Sequence, residues 1–119
     1  MVHIQRYTAH LARMVPSDDP QEGRRWYLAV MTRWMKPDEI PPWEKPDVDA
    51  LVQALNGLQA MSWMQRPQIV RAWVICAFPP GRPGPLPQTA ADALRLSCLL
   101  LDSPMPAELA RQYVEVSLH

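Results

Sequence analysis

The sequence lacks the short motifs that commonly mark an active site or a metal centre. It contains no His-Glu-x-x-His, no Cys-x-x-Cys, no phosphate-binding glycine loop and no Gly-x-Ser-x-Gly. Its four glycines (23, 57, 81 and 84) are too scattered to cradle a phosphate. No pattern combines a nucleophile with a base and an oxyanion site, so we predict a chain that is not an enzyme. We expect no catalytic residue, no metal site and no cofactor.

An excess of charge of one sign is also missing. Lysine and arginine number 12, and aspartate and glutamate also number 12, so the formal net charge is zero. A neutral chain has no overall field that would attract nucleic acid or an anionic membrane. The charge is uneven only locally: residues 1–36 carry six basic and three acidic groups, and residues 37–57 carry one and five. Opposed local patches suit packing against another protein, and ordinary solvated helix faces produce them equally often. We predict a protein partner and no nucleic acid.

Long apolar runs and cysteines are scarce. No apolar run approaches the ~20 residues that a membrane-spanning helix needs, and the N-terminus does not resemble a secretion signal. The two cysteines, Cys76 and Cys98, lie in apolar helical runs, which favours buried free thiols over a disulfide. These features predict a soluble, cytoplasmic chain without direct membrane insertion.

What the sequence does contain is helical periodicity, without strand-type alternation anywhere. Apolar stripes predict a first helix over residues 2–15, a second over about 20–35, a third from about 47, and a fourth over about 66–78. The third stripe comprises Val48, Leu51, Val52, Leu55 and Leu58. A last amphipathic helix is predicted over about 106–116, with Leu109, Tyr113 and Val116 on one side. Fourteen prolines separate these segments, and four of them fall in the polar connector 36–46.

The most apolar segment runs from Ala90 to Leu109, and within 96–101 only Ser97 interrupts Leu and Cys. A helix that is apolar on nearly every side has no face for water and must be surrounded by other helices. Asp102, Ser103 and two prolines then end it. We predict an all-α fold: a compact bundle of five or six helices around a buried central helix at about 88–102. One domain is expected, with a helical pair (1–36), a Pro-rich connector (37–46) and a helical core (47–119).

The tryptophans are the residues most relevant to binding of a partner. Aromatic and methionine stripes on helices are more often core than binding surface. Trp43 is the only large apolar group of the connector, where it either pins the connector to the core or is exposed for a partner. Trp26, Trp34, Trp43 and Trp63 are the candidate partner-binding residues.

The second half of the chain carries a more specific pattern. An amphipathic stretch Leu51–Leu58 is followed by a second helix over 67–78, then Gly84-Pro85-Leu86, then Ala90-Ala91-Asp92-Ala93-Leu94-Arg95. After the leucine run comes Leu101-Asp102-Ser103-Pro104-Met105-Pro106-Ala107, the most unusual of these segments. From 49 to 109 the chain resembles the C-terminal helical region of proteobacterial HtpX-like (Ste24p-type) membrane zinc metallopeptidases, which is itself similar to the TerB-like helical fold.

This resemblance implies a TerB-like accessory domain, excised or standing alone, whose parent is a zinc endopeptidase. Zinc would then belong only to the parent's catalytic domain, and the chain would lie on the cytoplasmic face of the inner membrane. Its partner would be the parent's own domain or a substrate protein. The chain departs from the TerB-like pattern at Pro83-Gly84 and Ala90, where acidic residues would be expected, and retains Asp92. A metal-responsive TerB-type domain using Asp92 is a third hypothesis.

An alternative from a different class is a stand-alone cytoplasmic helical adaptor or secretion chaperone that holds a partner helix in an apolar groove. The number of Trp and Met residues motivates it. An exposed groove lined by Trp would favour the adaptor, and burial of all five Trp residues would argue against it.

Overall fold

The fold is known from a computed structural model, which describes residues 2–14, 20–77, 86 and 88–111. The α-helices are α1 (Val2–Leu11), α2 (Pro20–Met31), α3 (Val48–Gln59), α4 (Arg66–Ala77) and α5 (Gln88–Leu100). A 3-10 helix spans Pro37–Glu39, and a further helical segment occupies residues 107–111. These described ranges contain no strand, which confirms the all-α prediction. The Cα radius of gyration is 13.8 Å, close to the roughly 13.5 Å typical of a compact domain of this length.

The helix ends follow local chemistry. Asp47 caps α3, because its carboxylate accepts a 2.7 Å hydrogen bond from the backbone N–H of Ala50. Helix α2 begins with Pro20, whose fixed φ suits a first helical position. The sequence also predicts that Asp19 caps α2, but Asp19 and the part of the predicted final helix beyond residue 111 lie outside the described residues.

One hydrophobic core draws buried side chains from all five helices. Helix α1 packs on α3 and α2, and α4 packs on α2 and α5. Trp73 of α4 lies at the centre with no exposed surface. Its ring stacks on that of Tyr7 with centroids 5.2 Å apart, and its indole N–H donates to the Thr8 hydroxyl at 2.9 Å. Side chains of α1 and α4 are therefore in direct contact within the core.

The prediction that the helix at 88–102 has no face for water is wrong. Leu96, Leu99 and Leu100 of α5 are exposed, and the exposed fraction of Leu99 is 68%. The buried face of α5 consists of Ala90, Ala91, Leu94, Ser97 and Cys98. At 3.6 residues per turn, Leu96 and Leu99 lie on the side opposite Leu94. α5 is thus an amphipathic helix on the side of the bundle, with leucines on both faces.

The predicted stripe of α3 is also partly wrong. Ala54 and Leu58 are buried and Leu51 and Leu55 are half-buried, whereas Val48 and Val52 are exposed. The predicted buried stripe includes too many residues, because α1 covers only one side of this helix. The apolar spacing of α4 predicts five inward residues, of which Ile69, Val70, Trp73 and Val74 are buried and Ala77 is half-buried.

The Pro-rich connector folds back on the first two helices. The Tyr27 hydroxyl donates to the Pro41 carbonyl at 2.9 Å, and the Trp43 indole N–H donates to the Ala9 carbonyl at 3.0 Å. The Trp43 ring also lies against Gly23 of α2, where an added Cβ would come within 2.7 Å of both this ring and the Ala12 carbonyl. The connector is thereby held on the α1–α2 pair, and α3 begins beside the C-terminal half of α1.

Candidate functional site: an apolar end surface

Of the nine large apolar side chains that are exposed in the described part of the chain, five belong to the α3–α4 turn and to the C-terminal part of α5. We call this set the apolar end surface and define it by Trp63, Met64, Leu96, Leu99 and Leu100. Trp63 is 74% exposed and Met64 is 63% exposed, and both belong to the turn between α3 and α4. The three leucines belong to the last two turns of α5.

Two side-chain hydrogen bonds join this turn to the end of α5. The Gln59 amide donates to the Leu100 carbonyl at 2.9 Å, and the Arg66 guanidinium donates to the Leu101 carbonyl, also at 2.9 Å. Trp63 and Met64 lie in the chain between these two anchoring residues. The turn that presents them is therefore held at the C-terminal end of α5.

The end of α5 has a defined backbone geometry. The Ser103 N–H donates to the Cys98 carbonyl at 2.9 Å, and the Asp102 N–H donates to the Leu99 carbonyl at 3.1 Å. Asp102 has a φ of 48°, in the left-handed region. These are the two bonds and the left-handed residue of a Schellman motif, in which glycine usually occupies the position of Asp102. With Gln59 and Arg66, this motif gives every carbonyl from Ser97 to Leu101 a hydrogen-bond partner.

The turn that carries Trp63 is ordered by Ser62. The backbone N–H groups of Gln65 and Arg66 donate to the Ser62 carbonyl at 3.0 and 3.1 Å, and the Ser62 hydroxyl accepts a second, 3.3 Å bond from Gln65. A serine that satisfies the first N–H groups of a helix is a favourable start signal. The exposed indole is therefore presented by a constrained backbone.

Buried polar contacts set which face of α5 points outward. The hydroxyls of Tyr7 and Ser97 lie 2.9 Å apart, and the Ser97 hydroxyl also donates to the Ala93 carbonyl at 2.8 Å. Burial raises the pKa of the Tyr7 phenol, an effect that the hydrogen bond with Ser97 partly opposes. Because Ser97 must face Tyr7, Leu96 and Leu99 must face away from α1.

Cys98 and Ser97 are buried in α5 and are not accessible as reactive groups, whereas Cys76 is half-buried. Burial raises the pKa of the Cys98 thiol to about 11, so this thiol stays protonated at neutral pH. Ser97 is buried against Tyr7, away from solvent. Residues 2–14, 20–77 and 88–111 contain no group of three His, Cys, Asp or Glu side chains that could hold a metal ion. In the same ranges, no helix has the length and apolar character needed to cross a bilayer.

The four candidate tryptophans do not form one site. Trp26 is buried and donates its indole N–H to the Trp73 carbonyl at 3.2 Å, so it is a core residue and not an exposed contact. Trp34 is half-buried against the core, and Trp43 pins the connector. Trp63 is 74% exposed. Trp43 lies near the C-terminal half of α1, whereas Trp63 follows α3, whose C-terminal half packs near His3 at the start of α1.

Sequence reasoning missed Leu96, Leu99 and Leu100, because it assigned them to the core. A usable signal was present: Ala90, Ala91 and Ser97 share one side of the helix, and small residues mark a face that approaches its neighbours closely. The leucines opposite them were then the candidates for exposure.

Comparisons with protein-family models, with curated proteins and with solved structures each find no match for this chain.

Proposed function

We propose that this chain is a non-catalytic helical accessory domain whose role is protein–protein contact through the apolar end surface. The observation that carries the proposal is the joint exposure of Trp63, Met64 and the three α5 leucines on a hydrogen-bonded framework. Contiguous exposed apolar patches that reach a few hundred Å² on soluble proteins often mark interaction sites. Exposed Trp and Met are well suited to such contacts, since each buries a large area.

Within this proposal, the resemblance to the C-terminal TerB-like region of HtpX-like membrane metallopeptidases suggests where the contact is made. The parent would be a zinc endopeptidase, the location would be the cytoplasmic face of a bacterial inner membrane, and the partner would be a domain of that peptidase or a substrate protein. An all-α fold and an abrupt helix end at Leu101–Pro106 are in keeping with that resemblance.

The stand-alone adaptor is the second candidate, and the exposure of Trp63 supports it as well. Both candidates need the same surface. They differ in whether the contact is made within a peptidase or with an independent protein, so identification of the bound protein separates them.

Site-specific photo-cross-linking in the source cell tests the proposal. A photoreactive amino acid at Leu99 samples the apolar end surface, and the same amino acid at Arg24, which is exposed on α2 beside Gly23, provides the matched control. We expect a cross-linked protein from position 99 and none from position 24. Equal cross-linking from both positions, or none from position 99, would contradict a protein contact at this surface.

The non-catalytic role has its own test. The purified chain should show no chelator-sensitive cleavage of an unfolded substrate such as casein. Cleavage that co-purifies with the chain and disappears after addition of EDTA would overturn this part of the proposal.

A further inference from the structure

We propose that the α1–α2 pair is a binding site for a proline-rich peptide with a central tryptophan, and that residues 40–47 of this chain occupy the site in cis. We call this segment the strap. The inference goes beyond the proposed function and does not rest on it, because the site is formed by α1 and α2 and includes no residue of the apolar end surface.

The strap has the conformation of a bound proline-rich peptide. Residues 41–47 belong to no helix or strand, and Ile40 (φ −73°, ψ 122°) and Asp47 (φ −71°, ψ 171°), at its two ends, are extended. Each of its three prolines fixes φ at about −65°. Half-buried side chains recur at every third residue, at Ile40, Trp43 and Pro46, and the other five are exposed. A period of three is that of a polyproline II helix, so one edge of the strap faces the helices.

A slot between α1 and α2 receives the Trp43 ring. The indole N–H donates to the Ala9 carbonyl at 3.0 Å. The end of α1 leaves this carbonyl for another donor, because the N–H of Arg13, four residues on, donates to the His10 carbonyl. On α2, Gly23 is buried, and an added Cβ would lie 2.7 Å from Cη2 of the ring. The slot therefore selects a flat ring through the missing side chain of Gly23 and a ring N–H through the Ala9 carbonyl.

A second contact holds the peptide backbone. The Tyr27 hydroxyl donates to the Pro41 carbonyl at 2.9 Å and accepts a 3.0 Å hydrogen bond from the side-chain amide of Gln5. The Tyr27 side chain is itself buried, so the core and Gln5 together orient its hydroxyl. Because the acceptor is a main-chain carbonyl, any segment of the same conformation offers it. Recognition of a preformed polyproline II backbone next to an aromatic anchor is a recurring mode of peptide binding.

The two walls of the site belong to the hydrophobic core, whereas the strap does not. Trp73 of α4 joins the walls, because its indole N–H donates to Thr8 of α1 and its carbonyl accepts from Trp26 of α2. These three side chains are buried, and no side chain of the strap is. The strap can therefore leave by local opening while α1 and α2 stay packed on α4.

Covalent attachment explains why the site is filled in cis. A tethered segment acts at an effective concentration in the millimolar range. An external peptide binds only molecules whose strap is open, and a minor state of about 0.1–10% lowers its apparent affinity about 10–1,000-fold. The strap is thus an autoinhibitory contact that closes the site to external peptides.

Hydrogen exchange of the indole N–H groups of wild type, measured by NMR, tests the opening. Trp63 is exposed and gives the unprotected rate, and Trp73 is buried and gives the rate of the core. We expect the Trp43 N–H to exchange about 10–1,000-fold more slowly than that of Trp63 and measurably faster than that of Trp73. Exchange of Trp43 at the Trp73 rate would show that the strap is released only when the chain unfolds, and would overturn the proposal.

Fluorescence anisotropy with a labelled peptide that copies residues 39–47 tests the site. The proteins are wild type, Trp43→Ala and the matched control Trp63→Ala, which removes an exposed tryptophan outside the site. We expect Trp43→Ala to bind the peptide about 10–1,000-fold more tightly than wild type or Trp63→Ala, because its slot is empty. The same peptide with alanine in place of tryptophan should not bind.

Three results would overturn the site: equal binding by wild type and Trp43→Ala, equal binding of the two peptides, or no binding to a Trp43→Ala variant that keeps the wild-type circular dichroism spectrum. If Trp43→Ala unfolds, Trp43→Phe replaces it, since it keeps a ring in the strap but lacks the N–H, and it too should bind the peptide more tightly than wild type. Cross-linking from position 99 does not depend on these results, so the two proposals can fail separately.

Discussion

At the scale of single residues, burial decides which side chains can take part in chemistry or recognition. Trp73, Tyr7 and Ser97 combine apolar burial with satisfied hydrogen bonds, so each contributes to the core without leaving an unpaired polar group. Trp63 has the opposite environment and is the tryptophan that a partner can reach. Tryptophan content alone therefore says little about function, because burial differs between these residues.

His10 should make the stability of the fold depend on pH. Burial, and next the positive charges of Lys45 and Arg13, lower the pKa of this imidazole, whose ring lies edge-on to Tyr7. The unfolded chain then binds the proton more readily than the folded chain. The stabilising effect of neutral His10 is complete above its ordinary pKa of about 6.5 and is lost as the pH falls through 6.5 toward the lowered value.

Urea unfolding of wild type and His10→Gln between pH 8 and pH 5 measures this effect. We expect the free energy of unfolding of wild type to fall relative to that of His10→Gln as the pH decreases. A relative rise at acidic pH would show that the histidine is stabilised in its charged form.

Cys98 should be unreactive in the folded protein. Its thiol is buried and its pKa is raised to about 11, so almost no thiolate is present at pH 8. In Cys76→Ser, the remaining thiol should react with Ellman's reagent only when urea unfolds the chain. Full reaction within minutes in native buffer would show that α5 does not bury this residue.

At the scale of the helices, α5 shows how local chemistry ends an element and orients its faces. Its last turn uses a left-handed aspartate where glycine is usual, and a negative charge at a helix C-terminus is itself unfavourable. The side chain of Asp102 accordingly costs stability that glycine would recover.

Asp102→Gly should stabilise the fold by about 1 kcal/mol, because glycine adopts a positive φ without strain. Asp102→Ala is the matched control: it removes the charge but keeps a Cβ, so it should recover less. Both values come from the free energy of unfolding in urea. A loss of stability in Asp102→Gly would mean that the carboxylate makes a contact worth more than the backbone strain.

The contact of α2 with α1 and the connector depends on Gly23. A Cβ at this position would come within 2.7 Å of the Ala12 carbonyl, which belongs to the backbone and cannot move freely. Gly23→Ala should therefore destabilise the fold by about 1–3 kcal/mol, despite the better helix propensity of alanine. Gly57→Ala provides the comparison, since its Cβ would meet the exposed side chain of His3, which can swing away. An equal loss from both substitutions would contradict this distinction.

At the scale of the whole molecule, helical periodicity predicted more of the fold than of the surface. The class, the approximate positions of α1–α5 and the inward face of α4 follow from apolar spacing and from proline and aspartate at helix ends. The exposed face of α5 does not, because the prediction equated apolar content with burial. More than half of the surface of a folded protein is apolar, so an uninterrupted leucine run does not establish which leucines are covered. That depends on the neighbours of the helix, and only the three-dimensional packing shows them.

The central claim is that Trp63, Met64 and the outer leucines of α5 form a protein contact. Hydroxyl-radical footprinting measures it most directly, because the rate of oxidation of each side chain reports its exposure to solvent. The account predicts that Trp63, Leu96 and Leu99 are oxidised rapidly in dilute purified protein and are protected inside the source cell. Val48 and Val52 should react equally in both conditions. Unchanged oxidation of Trp63 and Leu99 in the cell would contradict the claim.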